Sequence, residues 1–150
     1  MTATTAKRTT TDTGSARRRL MLVNGGFLAV VGAVQVAFEL ASYYAAAGPY
    51  GSDFDASPYT IGWVEAHGLA LLIGVLFLTV AAGDGRRFWH VFAIGVHLLL
   101  GTANVVFWSS FTTFGVVPMG IAATAAHAVF VLAHATALMT STPSAEWRNR

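Results

Sequence analysis

Four histidines in the second half of the chain recur at one interval. His90 and His97 are seven residues apart, and so are His127 and His134. Seven residues are about two helical turns, so each pair marks one face of one helix. Both pairs are symmetric about Thr112, which sits in the short polar run Ser109-Ser110-Phe111-Thr112-Thr113. A chain that folds back there brings His90 level with His134 and His97 level with His127. A second fold-back, about Ser52, sets Glu39 level with Glu65, with His67 half a turn deeper. A third, about Gly85, places His67 opposite residue 103 and so beside Asn104. Gln35 lies one turn from Glu39 on the same helix face. The spacing predicts a polar file in three layers: Glu39, Glu65, His67 and Asn104, then His97 with His127, then His90 with His134.

Three kinds of chemistry suit such a file. Carboxyl groups in a poorly solvating interior hold their protons more tightly, and two at one depth reinforce this. Glu39 and Glu65, with His67 as partner base and Asn104 orienting, would then form an acid–base site. Gln35, His97 and His127 would line the cavity around it. The preferred expectation is an isomerase- or cyclase-type enzyme acting on an isoprenoid-, sterol- or quinone-like molecule, with no cofactor required. The alternative is a metal or haem held by His90, His97, His127 and His134. The seven-residue rise is only about 10.5 Å, which crowds stacked haems and suits zinc, copper or iron better. A file of Glu and His could also carry protons or cations across a membrane, or meet a larger membrane partner as an accessory subunit.

The elements that must position these residues follow from composition. The chain has 150 residues, 55% hydrophobic and 11% charged, against about 25% charged in soluble domains. Too few charges remain to coat a water-facing surface. There are no cysteines, which excludes disulfides and thiolate-held metals or clusters. Four apolar segments, at about 20–47, 61–82, 88–108 and 115–139, each approach the ~20 residues that cross a bilayer as helix. Residues 1–19, with seven threonines and a closing Arg17-Arg18-Arg19, are expected to be a disordered basic tail, and residues 141–150 a short C-terminal tail. The connections after the first are short, so the expected fold is all-α: a four-span, up-down-up-down membrane bundle covering residues 20–140. A cleavable leader is a rival for the first segment, but its apolar run is long for one and contains Gln35 and Glu39. No internal repeat is evident.

Charge sets the expected orientation. Lys7, Arg8, Arg17, Arg18, Arg19, Arg86, Arg87, Arg148 and Arg150 all fall on one side of a four-span chain, and the opposite loops carry only Asp53 and Asp55. This places both termini in the cytoplasm and the chain in the cytoplasmic membrane. The net charge of +2 is therefore a topology signal, and no nucleic acid is expected as partner; lipids, a small lipid-soluble ligand and a second copy or larger membrane protein are. Small residues, among them Gly25, Gly26, Ala29, Gly32, Gly68, Gly74, Gly95, Gly101 and Gly120, are expected to bring helices close, and Trp63, Trp89 and Trp108 to mark the interfaces. Because the chain lacks cysteine, an introduced one is a unique label. Asp55→Cys should react with a membrane-impermeant maleimide in intact cells, and Arg148→Cys only after permeabilisation.

Overall fold

The computed structural model describes residues 3–83 and 87–140, with side chains from residue 14 onward. The C-terminal tail and the Asp84-Gly85-Arg86 part of the basic turn lie outside the described residues. Helix α1 runs Ala3–Ala45; a 3-10 turn, Gly51–Phe54, follows; then come α2 (Thr60–Val80), α3 (Arg87–Val106), the short α4 (Trp108–Thr113) and α5 (Val117–Met139). No strand occurs among the described residues. Gly14–Ala45 of α1, together with α2, α3 and α5, are each long and apolar enough to cross a membrane. The protein is an all-α, four-helix membrane bundle.

Two boundaries differ from the sequence reading. Arg17–Arg19, expected to close a tail, lie within α1, which is helical from Ala3. No proline interrupts this stretch, and two of the arginines have partners that favour helix here. The Arg18 Nε donates to the Ala81 carbonyl at 3.1 Å, and the Arg17 guanidinium to the Ala137 carbonyl at 2.9 Å. Those carbonyls close the C-terminal ends of α2 and α5, where unpaired C=O groups and the helix dipole both favour a cation. The polar run after α3, expected as a plain turn, forms α4. At its end Gly115 takes φ 68°, a left-handed conformation that glycine adopts without strain.

Lipid offers no hydrophobic gain for helix association, so close backbone approach has to supply contact. The tightest pairings are α1 on α2 and α3 on α5. In the first, a Cβ at Gly32 would stand 2.7 Å from the His67 carbonyl oxygen and the Leu71 nitrogen, and one at Gly25 would stand 2.9 Å from the Gly74 carbonyl oxygen. In the second, Gly101 faces the His127 Cβ, at 3.3 Å from its own added Cβ. Gly26, Gly68 and Gly95 have open space where their Cβ would be, so not every expected small residue is a contact. Near the basic turn α2 and α3 meet through Phe77 and Phe92, ring centroids 6.1 Å apart. Toward the other end a cavity separates them. Large apolar residues such as Val30, Leu69, Leu72, Leu99 and Leu132 face outward, the surface that lipid would cover.

The two kinds of glycine should respond differently to substitution. Gly32→Ala, whose methyl meets backbone, should cost about 1–3 kcal/mol. Gly26→Ala should be neutral or mildly stabilising through helix propensity. Unfolding of detergent-solubilised protein, followed by loss of helical circular dichroism, measures both.

Candidate functional site

Two polar assemblies occupy the bundle interior. The first lies toward the Asp53/Asp55 loop. Glu39 on α1 is fully buried, and its Oε1 accepts from Nδ1 of His67 on α2 at 2.5 Å. Its Oε2 has no hydrogen-bond partner among the described residues. With Nδ1–H committed to the carboxylate, His67 keeps Nε2 as its other ring nitrogen, and the ring lines the cavity. Glu39 itself does not line it. The cavity has a volume of about 530 Å³ and is lined by residues of α1, α2, α3, α4 and α5. Its walls are mainly apolar, with Phe27, Leu28, Ala70, Leu100 and Phe111 among them, and Gln35, His67, Asn104 and His127 supply polarity. The Asn104 amide nitrogen is buried with no hydrogen-bond partner among the described residues.

An aromatic cap closes this end of the bundle. Tyr50 and Phe54, from the loop after α1, are buried and pack on each other at 4.8 Å between centroids. Phe54 also packs on Trp63 at 5.6 Å and on Phe114 at 5.0 Å. The loop is held by Ser42, whose hydroxyl donates to the Gly51 carbonyl at 2.6 Å. The Tyr50 hydroxyl donates to Gln35 Oε1 at 3.3 Å, and the Gln35 amide nitrogen reaches Met119 Sδ at 3.3 Å. Burial, and then the nearby Glu39 charge, push the Tyr50 phenol up to about 12, with the Gln35 bond acting the other way. It therefore stays a donor through the neutral range.

Glu65 does not join this group. It is exposed on the outside of α2, because two residues turn a helix by about 200° and His67 already faces inward. Counting residues to the turn carries no information about direction around the helix. The expected paired carboxylates are thus a carboxylate–imidazole pair, and Glu39 positions His67 instead of sharing a proton with Glu65.

The second assembly fills the middle and the basic half. His97 Nδ1 meets His127 Nδ1 at 2.9 Å, and His90 Nδ1 meets His134 Nδ1 at 2.8 Å. All four rings are buried. Asn24 on α1, fully buried, joins the pairs: its Nδ2 contacts His134 Nε2 and its Oδ1 contacts His97 Nε2, each at 2.8 Å. The result is one continuous chain, His127–His97–Asn24–His134–His90. Sequence reasoning left Asn24 out of the site. The available signal was its place eleven residues, three helical turns, before Gln35 on the stripe that also holds Glu39.

This arrangement bears on the metal and haem reading. The paired nitrogens face each other at hydrogen-bonding distance, which leaves no room for a macrocycle between them, and an amide stands between the pairs. Among the described residues no three His, Asp or Glu side chains converge on a point that could hold a metal ion.

Fold and interior together define a small multi-pass membrane protein with a polar core. No family model matches the chain, and neither a curated protein nor a solved structure does. The reading of its function therefore rests on its own geometry. The Tyr50 phenol gives one direct check. Its folded value lies above the ordinary 10, so the contribution is whole below pH 10 and is lost as the unfolded chain ionises first between pH 10 and about 12. The stability advantage of the wild type over Tyr50→Phe should shrink across that window, measured by denaturant midpoints at each pH.

Proposed function

We propose that the protein is a membrane-embedded acid–base catalyst of the isomerase or cyclase type, acting on a lipid-soluble molecule held in the cavity. The observation that carries this reading is a buried carboxylate hydrogen-bonded to one ring nitrogen of an imidazole that lines an apolar cavity. His67 Nε2 is the group that would take or give a proton at the reacting atom. Glu39 fixes its tautomer and orientation and steadies the charge that forms on the ring. The Asn104 amide nitrogen, buried and unpaired, would donate to an oxygen of the ligand and set its register. The apolar walls suit an isoprenoid-, sterol- or quinone-like body, which would enter from the bilayer in which it dissolves.

This placement fits a cytoplasmic membrane protein with its basic ends in the cytoplasm, so that the cavity would lie in the outer half of the bilayer. A second copy or a larger membrane protein could cover the outward apolar faces without altering this chemistry. The reading is tested by incubating purified protein with extracted isoprenoid and quinone lipids and following products by mass spectrometry. His67→Ala should lower turnover by about 10²–10⁴-fold, and Glu39→Gln should lower it while ligand binding persists. Glu65→Gln should leave it unchanged. Full activity in His67→Ala would overturn the assignment.

A further inference from the structure

The proposed chemistry uses His67 and leaves the Asn24-linked histidines without a task. Burying four imidazoles and an amide in a membrane interior is costly, and the hydrogen-bond pattern among them is unusually constrained. A neutral imidazole has one donor and one acceptor nitrogen. Asn24 Nδ2 can only donate, so His134 accepts at Nε2 and carries its hydrogen on Nδ1. His134 therefore donates to His90 Nδ1, leaving the His90 hydrogen on Nε2. On the other side Asn24 Oδ1 can only accept, so His97 carries its hydrogen on Nε2 and accepts at Nδ1 from His127. His127 is left with an unprotonated Nε2, and His127 lines the cavity. One amide thus fixes the tautomer of all four rings, and the chain of donors runs in one sense from end to end.

We propose that His127 and His97 form a second proton-exchanging site on the cavity floor, with Asn24 as the stop that keeps its proton from the His134–His90 pair and from the basic face. Resting on the function proposed above, the step is a simple shift. A ligand X–H bond breaks, and the proton bonds to His127 Nε2. The proton on His127 Nδ1 passes to His97 Nδ1, and the positive charge comes to rest on His97, with Asn24 Oδ1 accepting its Nε2–H. A further hop would have to protonate the amide oxygen, a far weaker base than imidazole, and would leave Asn24 as an imidic acid. The proton instead returns by the same route to another atom of the ligand. Isomerisation needs such a store: one proton removed and one returned, with none lost across the membrane.

The test needs no ligand, so its failure is separable from that of the enzymatic reading. Full-length protein is reconstituted in liposomes holding a trapped pH-sensitive dye, and proton entry is driven by a potassium diffusion potential. Wild type should be no leakier than protein-free vesicles. Asn24→Asp and Asn24→His replace the amide with a group that both takes and gives a proton, and should raise the flux at least tenfold. Adding His97→Phe should return either to baseline. Wild-type flux that His97→Phe abolishes would overturn the proposal, as would baseline flux in both Asn24 variants when each retains wild-type helical content. In the unaltered protein, ¹⁵N chemical shifts should place hydrogen on Nδ1 of His127 and His134 and on Nε2 of His97 and His90. Any other pattern overturns the proposal independently of the variants.

Discussion

Hydrogen bonds from one amide to two helices hold the interior of this bundle in register. The four spanning helices pack most closely as two pairs, α1 with α2 and α3 with α5. Between the pairs, in a bilayer, no hydrophobic gain acts. Beside Arg17, Gln35 and the Phe77–Phe92 contact, Asn24 supplies a link that reaches both helices of the second pair, from α1 to His97 on α3 and to His134 on α5. Each contact in isolation is worth little, on the order of 0.6 kcal/mol in membrane proteins. Their value here is geometric: an amide has one donating and one accepting end, so satisfying both fixes the depth of α1 against the other pair.

The same constraint divides the interior by chemistry. Toward the Asp53/Asp55 loop His67, Gln35 and Asn104 line a cavity, and two atoms, Glu39 Oε2 behind His67 and the Asn104 amide nitrogen, have no hydrogen-bond partner among the described residues. Toward the basic side the four histidines and Asn24 are bonded to one another in a chain that ends at His90. Groups left unsatisfied in a low-dielectric interior are expensive to keep.

Much of this was legible in the sequence because helices are periodic and short connections make neighbours antiparallel. Depth follows from counting residues to the turn, which is why His90 meets His134, His97 meets His127, and His67 reaches the level of Glu39. Direction around the helix is a separate quantity. Glu65 fails on it, since its inward-facing neighbour two residues on fixes it outside. Asn24 was missed for a different reason: its partners lie on α3 and α5, and no short loop ties α1 to either, so no fold-back about a turn could pair them. Arg17 and Arg18 likewise looked like topology signals alone, because the carbonyls they serve belong to helix ends that only the assembled bundle brings near.

Those two arginines have a consequence for biogenesis. Arg17 holds the last turn of α5 across a separation of 120 residues, while Arg18 holds the end of α2, only 63 residues away. The α1–α2 hairpin can therefore complete its own clasp soon after it leaves the ribosome. The clasp on α5 waits until the final helix is made. Until then Asn24 lacks His134, and the nascent chain carries an unsatisfied polar group that only the finished one conceals. Quality-control machinery that senses polarity within a membrane would find in it a built-in indicator of incomplete synthesis.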